Sequence, residues 1–125
     1  MSTPGKQEAL QNSIVKLRTS IPELRGVLVA STDGLPMAQS LSGSEDANRI
    51  AAMAATALGL GKRIGDSLGT GEILETTVTG IEGHVFFYAA GLRGVLVVVA
   101  RGSANVGLVH LEARESAKQI AEILG

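Results

Sequence analysis

The sequence predicts an α/β (α+β) fold: a single five-stranded antiparallel sheet with helices on both faces, in the order α-β-β-α-β-β-β-α. Three observations predict it. Apolar residues recur at helical spacing in three separate stretches. Five short apolar or β-branched runs lie between those stretches, two after the first and three after the second. Short glycine-containing turns join the runs within each group, and such turns connect antiparallel neighbours. A chain of 125 residues holds one core, and a domain of this size buries roughly two-thirds of its unfolded surface without staples.

Residues 1–8 read as a disordered start and 9–125 as a single domain. Leu10, Ile14, Leu17 and Ile21 form one stripe of a first helix. Pro22 ends it, because the residue before proline avoids helical geometry. Arg25 to Ser31 is a strand, Thr32-Asp33-Gly34 a turn, and Pro36 to Leu41 a second strand whose proline sits where no ladder donor is needed. Ser42 stands three residues before Glu45, the spacing of a capping box. A long middle helix follows to about Leu68, broken by Gly69-Thr70-Gly71. Strands at Glu72 to Thr79, His84 to Ala90 and Gly94 to Arg101 are joined by Gly80-Ile81-Glu82-Gly83 and Gly91-Leu92-Arg93-Gly94. Asn105 can cap a last helix, Val106 to Leu124, with Val109, Ala113, Ala117, Ile120 and Leu124 facing inward.

Composition removes several functional classes. With no cysteine, disulfide frameworks, thiolate zinc sites and cysteine nucleophiles are excluded. A formal net charge of -1 with scattered charges leaves no footprint for nucleic acid or an anionic membrane. Phe86, Phe87 and Tyr88 are the only aromatics, too few for base stacking. Met1 to Glu8 is polar and no apolar run approaches the roughly 20 residues of a membrane span. The expectation is a cytoplasmic protein with no membrane insertion.

The middle helix has two distinctive faces. Ile50, Met53, Ala57, Gly61, Ile64 and Leu68 cluster on one, expected to pack on the sheet. The other is charged or polar at its ends, with Asn48, Arg49, Lys62, Arg63 and Asp66, and small in its middle, with Ala52, Ala55, Thr56 and Gly59. Gly59, Gly61 and Gly65 each cost about 1 kcal/mol relative to alanine inside a helix. Close packing against a second helix would compensate, which points to self-association through Ala52, Ala55, Thr56 and Gly59. The strand Glu72 to Thr79 would lie at a sheet edge, where an open ladder is a liability. Pairing with its own copy, through Glu72, Leu74, Thr76 and Val78, would close that edge. The charged helix ends would then rim a groove for another protein.

No catalytic or cofactor motif emerges. The glycines at 59, 61 and 65 have the wrong spacing for a dinucleotide fingerprint and lie within a helix. Gly61-Lys62 lacks the rest of a phosphate loop: Thr56 replaces its leading glycine and Arg63 the magnesium-binding hydroxyl. His84 and His110 have no acidic neighbour at metal-ligand spacing; His84 reads as a half-buried strand end and His110 as solvated. Glu45-Asp46 decorates a helix start, Glu72 and Glu75 lie in no recognisable cleft, and Glu112 and Glu115 form surface pairs with Arg114 and Lys118. Ser31, Ser103 and Ser116 lack the context of a nucleophile elbow. The expectation is no enzyme, no cofactor and no metal.

The run Val27-Leu28-Val29-Ala30-Ser31-Thr32-Asp33-Gly34-Leu35-Pro36-Met37-Ala38 resembles the first hairpin of roadblock domains, of the dynein-light-chain type. The Ala-rich middle helix, the segment Gly91 to Ala100, and Asn105-Val106-Gly107-Leu108 opening the last helix resemble the same family. The resemblance spans about Leu10 to Leu124. It implies a profilin-like sheet, homodimers through the middle helix and third strand, and regulation or anchoring of a small Ras-like GTPase. It is similar to the bacterial gliding-motility members, which stimulate hydrolysis by a partner GTPase. Two alternatives stand beside this: a scaffold of the same fold holding a signalling kinase, and a small-ligand sensor.

Overall fold

A computed structural model describes residues 5–125. The elements are α1 (Lys6–Ser20), β1 (Leu24–Ser31), β2 (Pro36–Leu41), α2 (Ala47–Leu68), β3 (Glu75–Thr79), β4 (Gly83–Ala90), β5 (Gly94–Arg101) and α3 (Val106–Leu124). The five strands form one antiparallel sheet in the order β2-β1-β5-β4-β3. One core lies between the sheet and α1 with α3; a second, smaller one lies under α2. Both central strands serve both cores. Leu96, Val98 and Ala100 of β5 enter the first and Val95 and Val97 the second, as do Val27 and Val29 against Leu28 and Ala30 of β1. A strand buried on both faces needs no polar alternation, which explains the unbroken apolar runs in the sequence.

Strands β1 and β4 each begin one residue earlier than expected, and four departures are larger. Residues 6–8 are helical, so α1 starts inside the segment expected to be disordered; residues 1–4 of that segment lie outside the described residues. The capping box is replaced by Asp46, whose Oδ1 accepts from Asn48 N at 2.9 Å and Arg49 N at 3.4 Å. Gly43, at φ +82°, turns the chain before the helix can begin, and the Ser42 hydroxyl is taken by Arg18 of α1. Strand β3 begins at Glu75, three residues later than expected, although Leu74 O still accepts from Ala89 N at 2.9 Å. Asn105 caps α3 as expected, accepting from Leu108 N at 3.1 Å.

The fourth departure is the orientation of α2. Its buried residues are Ala51, Ala54, Leu58 and Gly65, rather than the row Ile50, Met53, Ala57, Gly61, Ile64 and Leu68. Small side chains let the helix sit close to its neighbours. A Cβ on Gly65 would collide with the Ile73 side chain, and one on Gly61 with the Thr76 hydroxyl. These two glycines are therefore required by packing inside the chain, where the sequence pointed to a second helix. Gly34, at φ +89° in the β1–β2 turn, lies over Ala52 and Ala55: a Cβ there would stand 3.3 Å from Ala52 Cα and 3.7 Å from Ala55 Cβ. Of the three glycines within α2, only Gly59 would place a Cβ in open space.

Candidate functional site

Because α2 buries Ala51, Ala54, Leu58 and Gly65, most of its larger apolar residues are left outside. Met53, Leu60, Ile64 and Leu68 of α2 are each more than half exposed, as is Val78 of β3. Beside them a groove of about 330 Å³ runs between α2 and the uncovered end of the sheet. Ile50, Met53 and Ala57 form one wall; Val78, Val85 and Val99 form the other, over Phe87 and Val97. The strip is continuous from helix to edge strand, the kind of exposed apolar patch found at protein, membrane or ligand contacts.

The expected site residues fall on different parts of this region. Ala52 and Thr56 are exposed, whereas Ala55 and Gly59 are half-buried. Ala52 and Ala55 lie under the β1–β2 turn, on the flank of α2 away from β3. Thr56 donates its hydroxyl to Ala52 O at 2.9 Å. Glu72 and Leu74 are exposed just before β3, Thr76 is half-buried beneath Gly61, and Val78 joins the apolar strip. Asn48, Arg49, Arg63 and Asp66 are exposed on α2, and Lys62 is half-buried. Leu60, Ile64 and Leu68 adjoin Arg63, so apolar and cationic groups share one surface there.

A polar cluster lies on the opposite face of β3 and β4. Arg114 of α3 bonds the Glu75 carboxylate twice, Nε to Oε2 at 2.5 Å and Nη2 to Oε1 at 2.9 Å. This replaces the expected surface pairs of Arg114 with Glu112 and Glu115. The hydrogen bond from Arg114 holds the Glu75 carboxyl below the usual carboxylate range, against the opposing effect of burial. Tyr88 Oη and His110 Nδ1 share a hydrogen bond of 2.9 Å, and His110 stacks edge-on to Phe86, so His110 is packed rather than solvated. Burial pushes the Tyr88 hydroxyl above its ordinary range. Sequence reasoning missed both pairings because the partners stand 39 and 22 residues apart, beyond any local periodicity. Among the described residues no three His, Asp or Glu side chains converge as metal ligands. Among the described residues no helix is long and apolar enough to cross a membrane.

Residues 10–100 match the Roadblock/LC7 domain. Two uncharacterized proteins of Methanocaldococcus jannaschii are each 34% identical over 97 residues, covering 78% of this chain and 84% of theirs. Among solved structures, the gliding protein MglB of Thermus thermophilus superposes with a TM-score of 0.87 at 17% identity, over 98% of this chain and 93% of that one. A Roadblock/LC7 domain from Streptomyces avermitilis gives 0.85 at 23% identity, over 91% and 96%. Profilin II of Acanthamoeba castellanii gives 0.67 at 12% identity, over 90% and 97%, which places the sheet and its flanking helices in the profilin-like architecture.

Proposed function

The chain belongs to the Roadblock/LC7 domain family, and on that premise we propose that it is a non-enzymatic, cytoplasmic homodimer that binds a small Ras-like GTPase and modulates its GTP hydrolysis or localisation. The observation that carries the reading is the exposed apolar strip of Met53, Leu60, Ile64 and Leu68 beside the open edge strand β3. A second copy related by a two-fold axis covers the strip and continues the sheet in one step. Ala52, Ala55, Thr56 and Gly59, with Glu72, Leu74, Thr76 and Val78, flank that contact. The paired helices then present Asn48, Arg49, Lys62, Arg63 and Asp66 as a polar rim, where such residues steer a partner more than they hold it.

Two measurements test the reading. Light scattering at micromolar concentration is expected to give twice the chain mass of 12.8 kDa. Single-turnover GTP hydrolysis by a small Ras-like GTPase, with and without the protein, reads the second half. Binding with an unchanged rate leaves localisation as the function. A monomer at every concentration overturns the homodimer, and no binding to any such GTPase overturns the partner.

A further inference from the structure

The two edges of the sheet are finished differently. Ser31 N donates to Leu35 O on the β2 side, and Thr32 N to Arg93 O on the β5 side, so alternate residues of β1 serve alternate neighbours. Val27 and Val29 share the direction of Ser31, and their partners are Ser40 and Ala38. Gln39, between these two, turns its N–H and C=O out of the sheet; Met37 is the extra residue at the bulge beside Ala38. At the opposite edge Gly80 N donates to Gly83 O and Ala89 N to Leu74 O. By the same alternation Thr76 and Val78 face β4, leaving Glu75, Thr77 and Thr79 outward.

Only the β2 edge is occupied by side chains. Gln7 Nε2 donates to Met37 O at 2.6 Å and Gln11 Nε2 to Gln39 O at 2.8 Å. Four residues of helix rise about 6 Å and two residues of strand about 6.6 Å, so one face of α1 can follow the edge carbonyl by carbonyl. Arg18 continues the row, donating to Ser40 Oγ at 3.0 Å. Among the described residues no side chain bonds the outward main-chain groups of Glu75, Thr77 or Thr79. The β2 sequence PMAQSL carries no charge, so the repulsion that usually protects an edge strand is missing and α1 takes its place.

We propose that β2 is a second strand-docking edge, fitted to the β2 of another copy of this chain and held shut by Gln7 and Gln11. An antiparallel pair centred on Gln39 is self-complementary, and no charge opposes it. A protein with two competent edges grows as an open-ended sheet instead of closing. The clamp leaves β3 as the only edge able to pair. Its effect on a dimer rests on the pairing through β3 proposed above; the clamp itself does not.

The test compares the parent with Gln7→Ala/Gln11→Ala by light scattering, and adds Gln39→Cys to each, since the chain has no cysteine of its own. Removing the clamp is expected to at least double the mass at equal concentration and to allow disulfide-linked pairs through position 39 under mild oxidation. Gln7→Lys/Gln11→Lys, which can still donate to both carbonyls, is expected to keep the parent mass. A Gln7→Ala/Gln11→Ala protein with the parent's circular dichroism, mass and cross-linking overturns the proposal. Equal cross-linking in the clamped protein does so as well. A monomeric parent that becomes a cross-linked dimer refutes the β3 pairing and leaves the clamp standing. If the double variant does not fold, Gln11→Ala alone gives the same cross-linking readout.

Discussion

Arg114 on α3 and Glu75 on β3 are joined by two parallel hydrogen bonds, at 2.5 and 2.9 Å, across the outermost strand of the sheet. Strand β3 has only one strand neighbour, so this pair ties its first residue to the helix layer. Glu75→Gln, which keeps the shape but loses the charge, is expected to lower Tm by no more than a few degrees, because exposed pairs are screened. The pH dependence separates charge from packing. The folded-state pKa of Glu75 is depressed, so the pair's contribution is complete above the unfolded-state value of roughly 4. It is lost as pH falls through the lower folded value. The Tm difference between parent and Glu75→Gln should therefore be constant near pH 7 and vanish in acid. A difference that persists at the acid end would assign the effect to packing.

Gly59→Leu and Leu60→Asp distinguish two candidate contact faces of α2. Neither change should unfold the monomer, since Gly59 has open space around it and Leu60 is exposed. If the contact runs along Met53, Leu60 and Ile64, Leu60→Asp should shift the mass to a monomer by light scattering while Gly59→Leu leaves it nearly unchanged. The reverse result would place the contact on Ala52, Ala55, Thr56 and Gly59.

Gly65→Ala should destabilise the fold, although alanine favours helix by about 1 kcal/mol. The added Cβ meets the Ile73 side chain, and overpacking of a filled site costs about 1–3 kcal/mol. The net loss, about 1 kcal/mol, is read from the denaturant midpoint. Combining the change with Ile73→Val should recover part of it, because the two residues are in contact.

Lys62→Glu with Arg63→Glu should slow association with an acidic partner at low salt and leave the mass and the melting curve of the protein itself unchanged. Both residues lie on α2 outside the core, and rim charges act mainly on association rate. Stopped-flow binding at two salt concentrations checks this; an unchanged on-rate at low salt would move the partner surface elsewhere.

Strand and helix content, the order of elements and the Asn105 cap were legible in the sequence, because each is set by contacts within a few residues along the chain; the edge position of β3 followed from pairing sequential strands, which β3, β4 and β5 do. The continuous apolar runs of β1 and β5 were visible too, but their division between two cores, where the sequence pointed to one, came from the helices packed on both faces. What the tertiary structure decided was which side of α2 faces inward. That helix has an apolar row and a small-residue row, and periodicity ranks the apolar row as the buried one. Packing chose neither row but the face between them, Ala51, Ala54, Leu58 and Gly65, because Ile73 and Thr76 close on Gly65 and Gly61 from one flank and the Gly34 turn on Ala52 and Ala55 from the other. The same holds for Glu75 with Arg114, Tyr88 with His110, and Gln7 and Gln11 with the β2 carbonyls. Each joins elements far apart in the chain, and only folding the sheet brings their atoms within hydrogen-bond reach.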